Sequence, residues 1–346
     1  MNIKQITSVA LIILSVFFTV RAQVPLCEKP TATTRPEAGD YGSVGQFTVT
    51  RRTIMHPDAT VPAPISVFLP SAASTTNRVP VIFFTHANLS HDFRFYEGLL
   101  NQLASNGYIV VFAPTGSAIP HLTRYQQYWT GFQLAVQQYS NVMDTTRVGF
   151  AGHSIGAGAV PEMATLGVAQ GWGANGLFLM TMASWYSWGA DYSTIPATAK
   201  LVVQVYWDDL NSQHSISEND IWNRLPQITE RRWQVIREAK STCRLVAGHG
   251  VPFLPPANVE NALDYWGVWR RLHALSEYTF TGNTDAGKVA FGDDAFMGDW
   301  QDGSSLTVTP MEATYFPVTN AFIKPQFLWV NRCNFSQGLP CTPPNN

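Results

Sequence analysis

Along this 346-residue chain, a serine between glycines, a pair of carboxylates and a glycine-flanked histidine follow one another in that order. The serine is Ser154, in Gly152-His153-Ser154-Ile155-Gly156. Alone, a serine hydroxyl is a poor nucleophile. It needs a base in hydrogen-bond reach, an acid to orient the base, and N–H donors for the oxyanion that attack creates. Gly-x-Ser-x-Gly after a strand is the pattern of a strained turn that exposes a serine. Its neighbours must be tiny, because backbone packs closely around so tight a turn.

The base must be chosen among eight histidines. His56 precedes the core strands, and His91 and His121 sit in loops before the serine. His153, inside the elbow, is expected to point away from the serine's partners. His214 follows the carboxylates too closely, and His273 lies on an amphipathic helix face. That leaves His249, in "VAGHGVP", just past an apolar run. A base is expected there, over the carboxyl ends of the strands. The acid should end an earlier strand, and "LVVQVYWDDLN" offers Asp208 and Asp209, of which Asp209 is favoured. One oxyanion donor is the N–H after the nucleophile, Ile155. The other comes from the loop "FTHANLS", with Asn88 preferred over Ala87 and His86 as a brace.

These residues need a scaffold, and the apolar pattern supplies one. "FTVTRRTI" (47–54) and "ISVFLP" (65–70) alternate and read as an antiparallel start. "VPVIFFTHA" (79–87), "YIVVFAP" (108–114), "RVGFAG" (147–152), "GLFLMTMAS" (176–184), "LVVQVYW" (201–207) and "TCRLVAG" (242–248) read as further strands. Helices are expected at 93–107, 122–141, 158–170, 219–225 and 262–278, with Pro161 in the first turn of its helix. Such alternation implies an α/β fold: a mainly parallel sheet with helices on both faces.

The motifs "VIFFTHAN", "LASNGYIVVFAPT", "DTTRVGFAGHSIGAGA", "MASW", "VYWDD" and "VAGHGVP" span roughly residues 79–275. Taken together they resemble the α/β-hydrolase serine esterases, and among these the cutinase-type polyester hydrolases and the platelet-activating-factor acetylhydrolase-like group. The resemblance implies Ser154, Asp209 and His249 as a catalytic triad. It also implies Trp185 as a wall of the substrate cleft, against the plainer alternative of core packing. The chain departs from the pattern at His86-Ala87-Asn88, where those groups carry His-Gly or Pro-Gly. It also has one glycine fewer in Gly156-Ala157-Gly158. Residues 279–346 have no clear counterpart. There Asp293, Asp294, Asp299 and Asp302 read as solvated turns rather than a calcium loop. Trp300 could anchor that segment over the body near the site.

Composition bounds the remaining possibilities. Hydrophobic residues make up 45% and charged ones 13% of the chain, and the net charge is −2. This argues against disorder and against a nucleic-acid partner. Residues 1–22 read as a cleaved signal peptide, with Lys4 and the apolar stretch Val9–Val20 before Gln23. Residues 23–45 read as an extended arm, and 46–346 as one domain without a large cap. Cys27, Cys243, Cys333 and Cys341 suit disulfides in an exported protein. Cys333–Cys341 is the favoured local pair, with Cys27–Cys243 pinning the arm. Their spacing fits no zinc site.

The expectation is a secreted or periplasmic, monomeric hydrolase of small or polymeric carboxylic esters. It would need no cofactor or metal and keep no stable membrane anchor. A non-catalytic binding protein on the same fold is one alternative. A peptidase or amidase is another, disfavoured because no long helical insertion separates Trp185 from Leu201.

Overall fold

A computed structural model describes residues 25–27, 33–117, 119–254, 260–292, 296–300 and 302–304. The expected signal peptide and the Cys333–Cys341 pair lie outside the described residues.

Strands β1 (Val49–Ile54) and β2 (Ile65–Pro70) form an antiparallel pair. They are followed by β3 (Val79–Thr85), α1 (Glu97–Ser105), β4 (Ile109–Ala113) and α2 (His121–Tyr139). Then come β5 (Met143–His153), α3 (Ile155–Ala169), β6 (Gly176–Met182) and β7 (Lys200–Tyr206). The short α4 (His214–Ser217) leads to β8 (Glu230–Ile236), and β9 (Ala239–Lys240) pairs with β10 (Arg244–Leu245) as a separate ribbon. A π-helical segment, Leu263–Trp269, runs into α5 (Arg270–Thr281), and α6 (Thr284–Phe291) packs beside it.

Among the described residues, eight strands form one sheet in the order β1-β2-β4-β3-β5-β6-β7-β8. All pairs from β4 to β8 are parallel, and β1 and β2 run antiparallel to their neighbours. Successive side chains of a strand face opposite ways, so β3 feeds two cores. Ile82 and Phe84 pack with residues of α1, α5 and α6. Val81 and Phe83 pack with residues of α2 and α3 on the other face. The fold is therefore α/β, with a large, mostly parallel sheet between helices. Among the described residues, no helix is long and apolar enough to cross a membrane.

Two expectations are corrected. Among the described residues, the last strand of the sheet is β8, not 242–248, which contributes only the two-residue β10. The charges of "ERRWQVI" hide β8 in the sequence. Here the Arg231 guanidinium lies over the Trp222 ring, and Arg232 donates to the carbonyl of Gly292. Second, α3 begins at Ile155 rather than 158, so Pro161 falls inside the helix. Gly156, read as a turn residue, is instead a helix residue that lets backbone come close: a Cβ there would fall on the carbonyls of Thr85 and His86. The segment at 279–346, which has no clear counterpart in the resemblance, contributes α6 to the body. Trp300 is buried in the core on the α1, α5 and α6 side of the sheet and bridges Thr33 of the arm, so it anchors its segment to the body and holds the arm there. Asp293 and Asp294 lie outside the described residues, while Asp302 accepts from Ser241 and Ser304.

The entry to α5 holds a buried acid. Asp264 accepts from the Asn261 N–H at 2.7 Å, and burial pushes its carboxyl from 3.8 up to about 7. A raised acid pKa means that the folded state holds the proton more tightly than the unfolded chain. Stability is therefore lost as pH rises from 3.8 to about 7, by up to about 4 kcal/mol. Asp264→Asn keeps the acceptor without the charge. Its melting temperature is expected to exceed the parent's by a margin that grows from pH 5 to pH 8, read by thermal denaturation. A margin independent of pH would count against the buried charge.

Candidate active site

The site lies at the carboxyl end of the sheet, where β5 turns into α3. Ser154 is the turn residue, at φ 57° and ψ −120°. A non-glycine residue held there costs on the order of 1–3 kcal/mol and persists only where its surroundings fix it. They do so here. The Ser154 N–H donates to Met182 O at 2.9 Å, and its carbonyl accepts from Gly158 at 3.1 Å and Trp185 at 2.9 Å. Thr85 Oγ1 donates to Gly156 O at 2.8 Å, tying β3 to the turn. A side chain at Gly152 would meet Thr85 Oγ1.

Three loops bring Ser154, His249 and Asp209 together. His249 Nε2 lies 2.9 Å from Ser154 Oγ, and His249 Nδ1 lies 2.8 Å from Asp209 Oδ2. The carboxylate can only accept, so Nδ1 carries the proton and Nε2 faces the hydroxyl bare. Asp209 is 1% exposed, and its Oδ1 accepts from the N–H groups of Asn211 at 2.7 Å and Ser212 at 2.9 Å. Asp208, its neighbour, faces away. It accepts from Ala247 N–H at 3.2 Å and lies 3.7 Å from an Arg244 nitrogen.

The loop after β3 supplies the opposite wall. His86 donates from Nδ1 to Ala87 O at 2.6 Å and accepts from Thr115 N–H at Nε2, 3.0 Å away. Burial pushes its pKa down to about 3, so it stays neutral in this role. The Ala87 N–H is already bonded to Tyr96 Oη at 3.0 Å. The Asn88 N–H makes no hydrogen bond among the described residues. Its side-chain Oδ1 accepts from Arg124 at 3.1 Å, and Arg124, 1% exposed, also donates to Ser117 O at 2.7 Å. Ile155 N–H opens α3, where backbone donors lack intrahelical partners. Trp185 is half-buried, edge-on to Tyr186, and its backbone holds the serine carbonyl.

His153 reverses an expectation. Rather than pointing away from the serine's partners, its Nε2 reaches the backbone carbonyl of His249 at 2.8 Å. Its Nδ1 meets Tyr96 Oη at 2.9 Å. The strand alternation that sends Ser154 upward still leaves the preceding ring beside the loop that carries His249. Tyr96 and Arg124 went unread because each sits in a helical apolar pattern with no local mark of a polar task. Three other histidines serve backbone: His56 and His214 bond the carbonyls of Gln127 and Tyr206, and His273 accepts from Gly42. Among the described residues, no group of three His, Cys, Asp or Glu gathers as a metal site would.

The Cys27–Cys243 disulfide ties the arm to the segment that leads into His249. A comparison of the chain with protein-family models gives no match, and neither does one with curated proteins.

Proposed function

We propose that the protein is an exported serine hydrolase of carboxylic esters, built on the α/β-hydrolase fold. One observation carries the reading: a continuous hydrogen-bonded line from buried Asp209 through His249 to Ser154, with the serine on a strained turn. The sheet order and the position of that turn after β5 agree with the fold. The disulfide agrees with an oxidising compartment.

In this mechanism Ser154 Oγ attacks the ester carbonyl while His249 Nε2 takes its proton. Asp209 keeps the proton on Nδ1 and balances the imidazolium that forms. The N–H groups of Ile155 and Asn88 receive the oxyanion, each worth on the order of 3 kcal/mol. When the tetrahedral adduct collapses, the C–O bond breaks and His249 returns the proton to the leaving alcohol. Water then attacks the acyl-enzyme by the same route, giving the free acid and the serine hydroxyl.

Only turns and irregular chain join β6 to β7, from Ala183 to Ala199, so no helical cap is inserted there. This favours an open cleft and an ester over a peptide. The test is labelling with a fluorophosphonate probe followed by peptide mapping. One adduct on Ser154, lost in His249→Ala, is expected, with p-nitrophenyl esters turned over far faster than the matching anilides. A folded protein without that adduct would overturn the reading in favour of a binding protein.

A further inference from the structure

Tyr96 and His153 are buried polar side chains that the proposed chemistry does not use, at 2% and 1% exposure. Their hydrogen bonds have one consistent direction. The His249 carbonyl can only accept, so His153 Nε2 carries its proton. Burial, and His249 close by, hold the His153 pKa well below the usual range, so its ring is neutral and Nδ1 is an acceptor. Tyr96 O–H therefore donates to Nδ1, and the Tyr96 oxygen accepts from Ala87 N–H. The line runs from the loop holding Asn88, through the residue before the nucleophile, to the backbone of the base.

We propose that Tyr96 and His153 are positioning residues: a brace that fixes the oxyanion loop and the His249 loop to one another and thereby sets the turnover of Ser154. The proposal rests on the hydrolase reading above. His249 follows a two-residue ribbon rather than a sheet strand, so its loop lacks the ladder that holds β5. Its side chain is bonded at both ring nitrogens, and the brace holds its carbonyl. On the other side, occupying the Ala87 N–H leaves Asn88 N–H as the donor that faces substrate. The brace therefore acts on the base and the oxyanion donor together. Misplacement of such groups by about 1 Å costs about a hundredfold.

The experiment compares Tyr96→Phe, His153→Phe, His153→Gln and the double variant Tyr96→Phe/His153→Phe in the full mature chain. For each, kcat and KM on p-nitrophenyl butyrate, the fluorophosphonate labelling rate and the melting temperature are measured. His153→Phe is expected to lower kcat and labelling about 30- to 100-fold, with KM within about threefold. His153→Gln, which keeps an N–H at similar reach, should recover most of that loss. Because the two residues act in series, the double variant should fall no further than His153→Phe alone. Independent losses that multiply, or a rise in KM at constant kcat, would overturn the brace. A second readout does not depend on activity. In protein labelled with ¹⁵N-histidine, His153 should show the Nε2–H tautomer, and Tyr96→Phe should shift the His249 signals. A different tautomer, or unmoved His249 signals, would overturn the brace even if the parent proved inactive. Loss of the parent's Ser154 adduct would overturn the hydrolase reading alone.

Discussion

Asp209→Asn is expected to lower kcat by about 10⁴, while Asp208→Asn stays within about tenfold of the parent. The difference follows from hydrogen-bond direction. Two backbone N–H groups, of Asn211 and Ser212, point at one oxygen of Asp209. An asparagine must turn its carbonyl oxygen toward those donors, which leaves its NH₂ facing His249 Nδ1. Nδ1 then has to accept, the ring proton moves to Nε2, and Ser154 loses its base. The fold should be unharmed, because the amide fills the same space. Asp208 accepts from the Ala247 N–H and makes a long contact to Arg244, so its loss touches the base loop without changing the tautomer. Steady-state kinetics on a p-nitrophenyl ester, with melting curves as control, decide the matter. The reverse ranking would move the acid to Asp208.

Removing the disulfide is expected to have the largest effect on stability. Cys27 and Cys243 are separated by 216 residues. The loop entropy such a link takes from the unfolded chain is on the order of 5 kcal/mol. For Cys27→Ser/Cys243→Ser this corresponds to a fall in melting temperature of about 5–10 °C. Function should suffer as well. The arm is paired to Arg244, through Arg244 N–H to Pro25 O at 2.8 Å and Cys27 N–H to Arg244 O at 3.0 Å. From there the chain runs directly to His249. Freed of the link, the base loop should loosen before the sheet melts. Under reductant, the Ser154 labelling rate should therefore drop at temperatures where circular dichroism is still native. Parallel loss of both signals would show that the disulfide stabilises the whole fold without a special hold on the site.

The elements that could be read from the sequence share a local cause. The strands from β3 to β7 are apolar runs because both faces of each are covered, as the alternation of β3 between two cores illustrates. The elbow is legible because backbone crowding there admits no side chain at Gly152 or Gly156. His249 stands out through its glycine neighbours and its place in the chain order. β8 does not, since its arginines find an aromatic face and a carbonyl that come from distant segments.

The sequence by itself determined the α/β class, the serine turn, and a short list of acids and bases in order. It could not choose between Asp208 and Asp209, which are adjacent and chemically identical until the turn after β7 aims one at His249. Nor could it show that His153 joins Tyr96 to the His249 backbone, because those contacts link residues 57 and 96 positions apart. Local pattern reports what a residue's neighbours in the chain permit. Hydrogen-bond partners of buried polar groups are assigned only when the fold brings distant loops within 3 Å, and at this site that was decided by the tertiary structure alone.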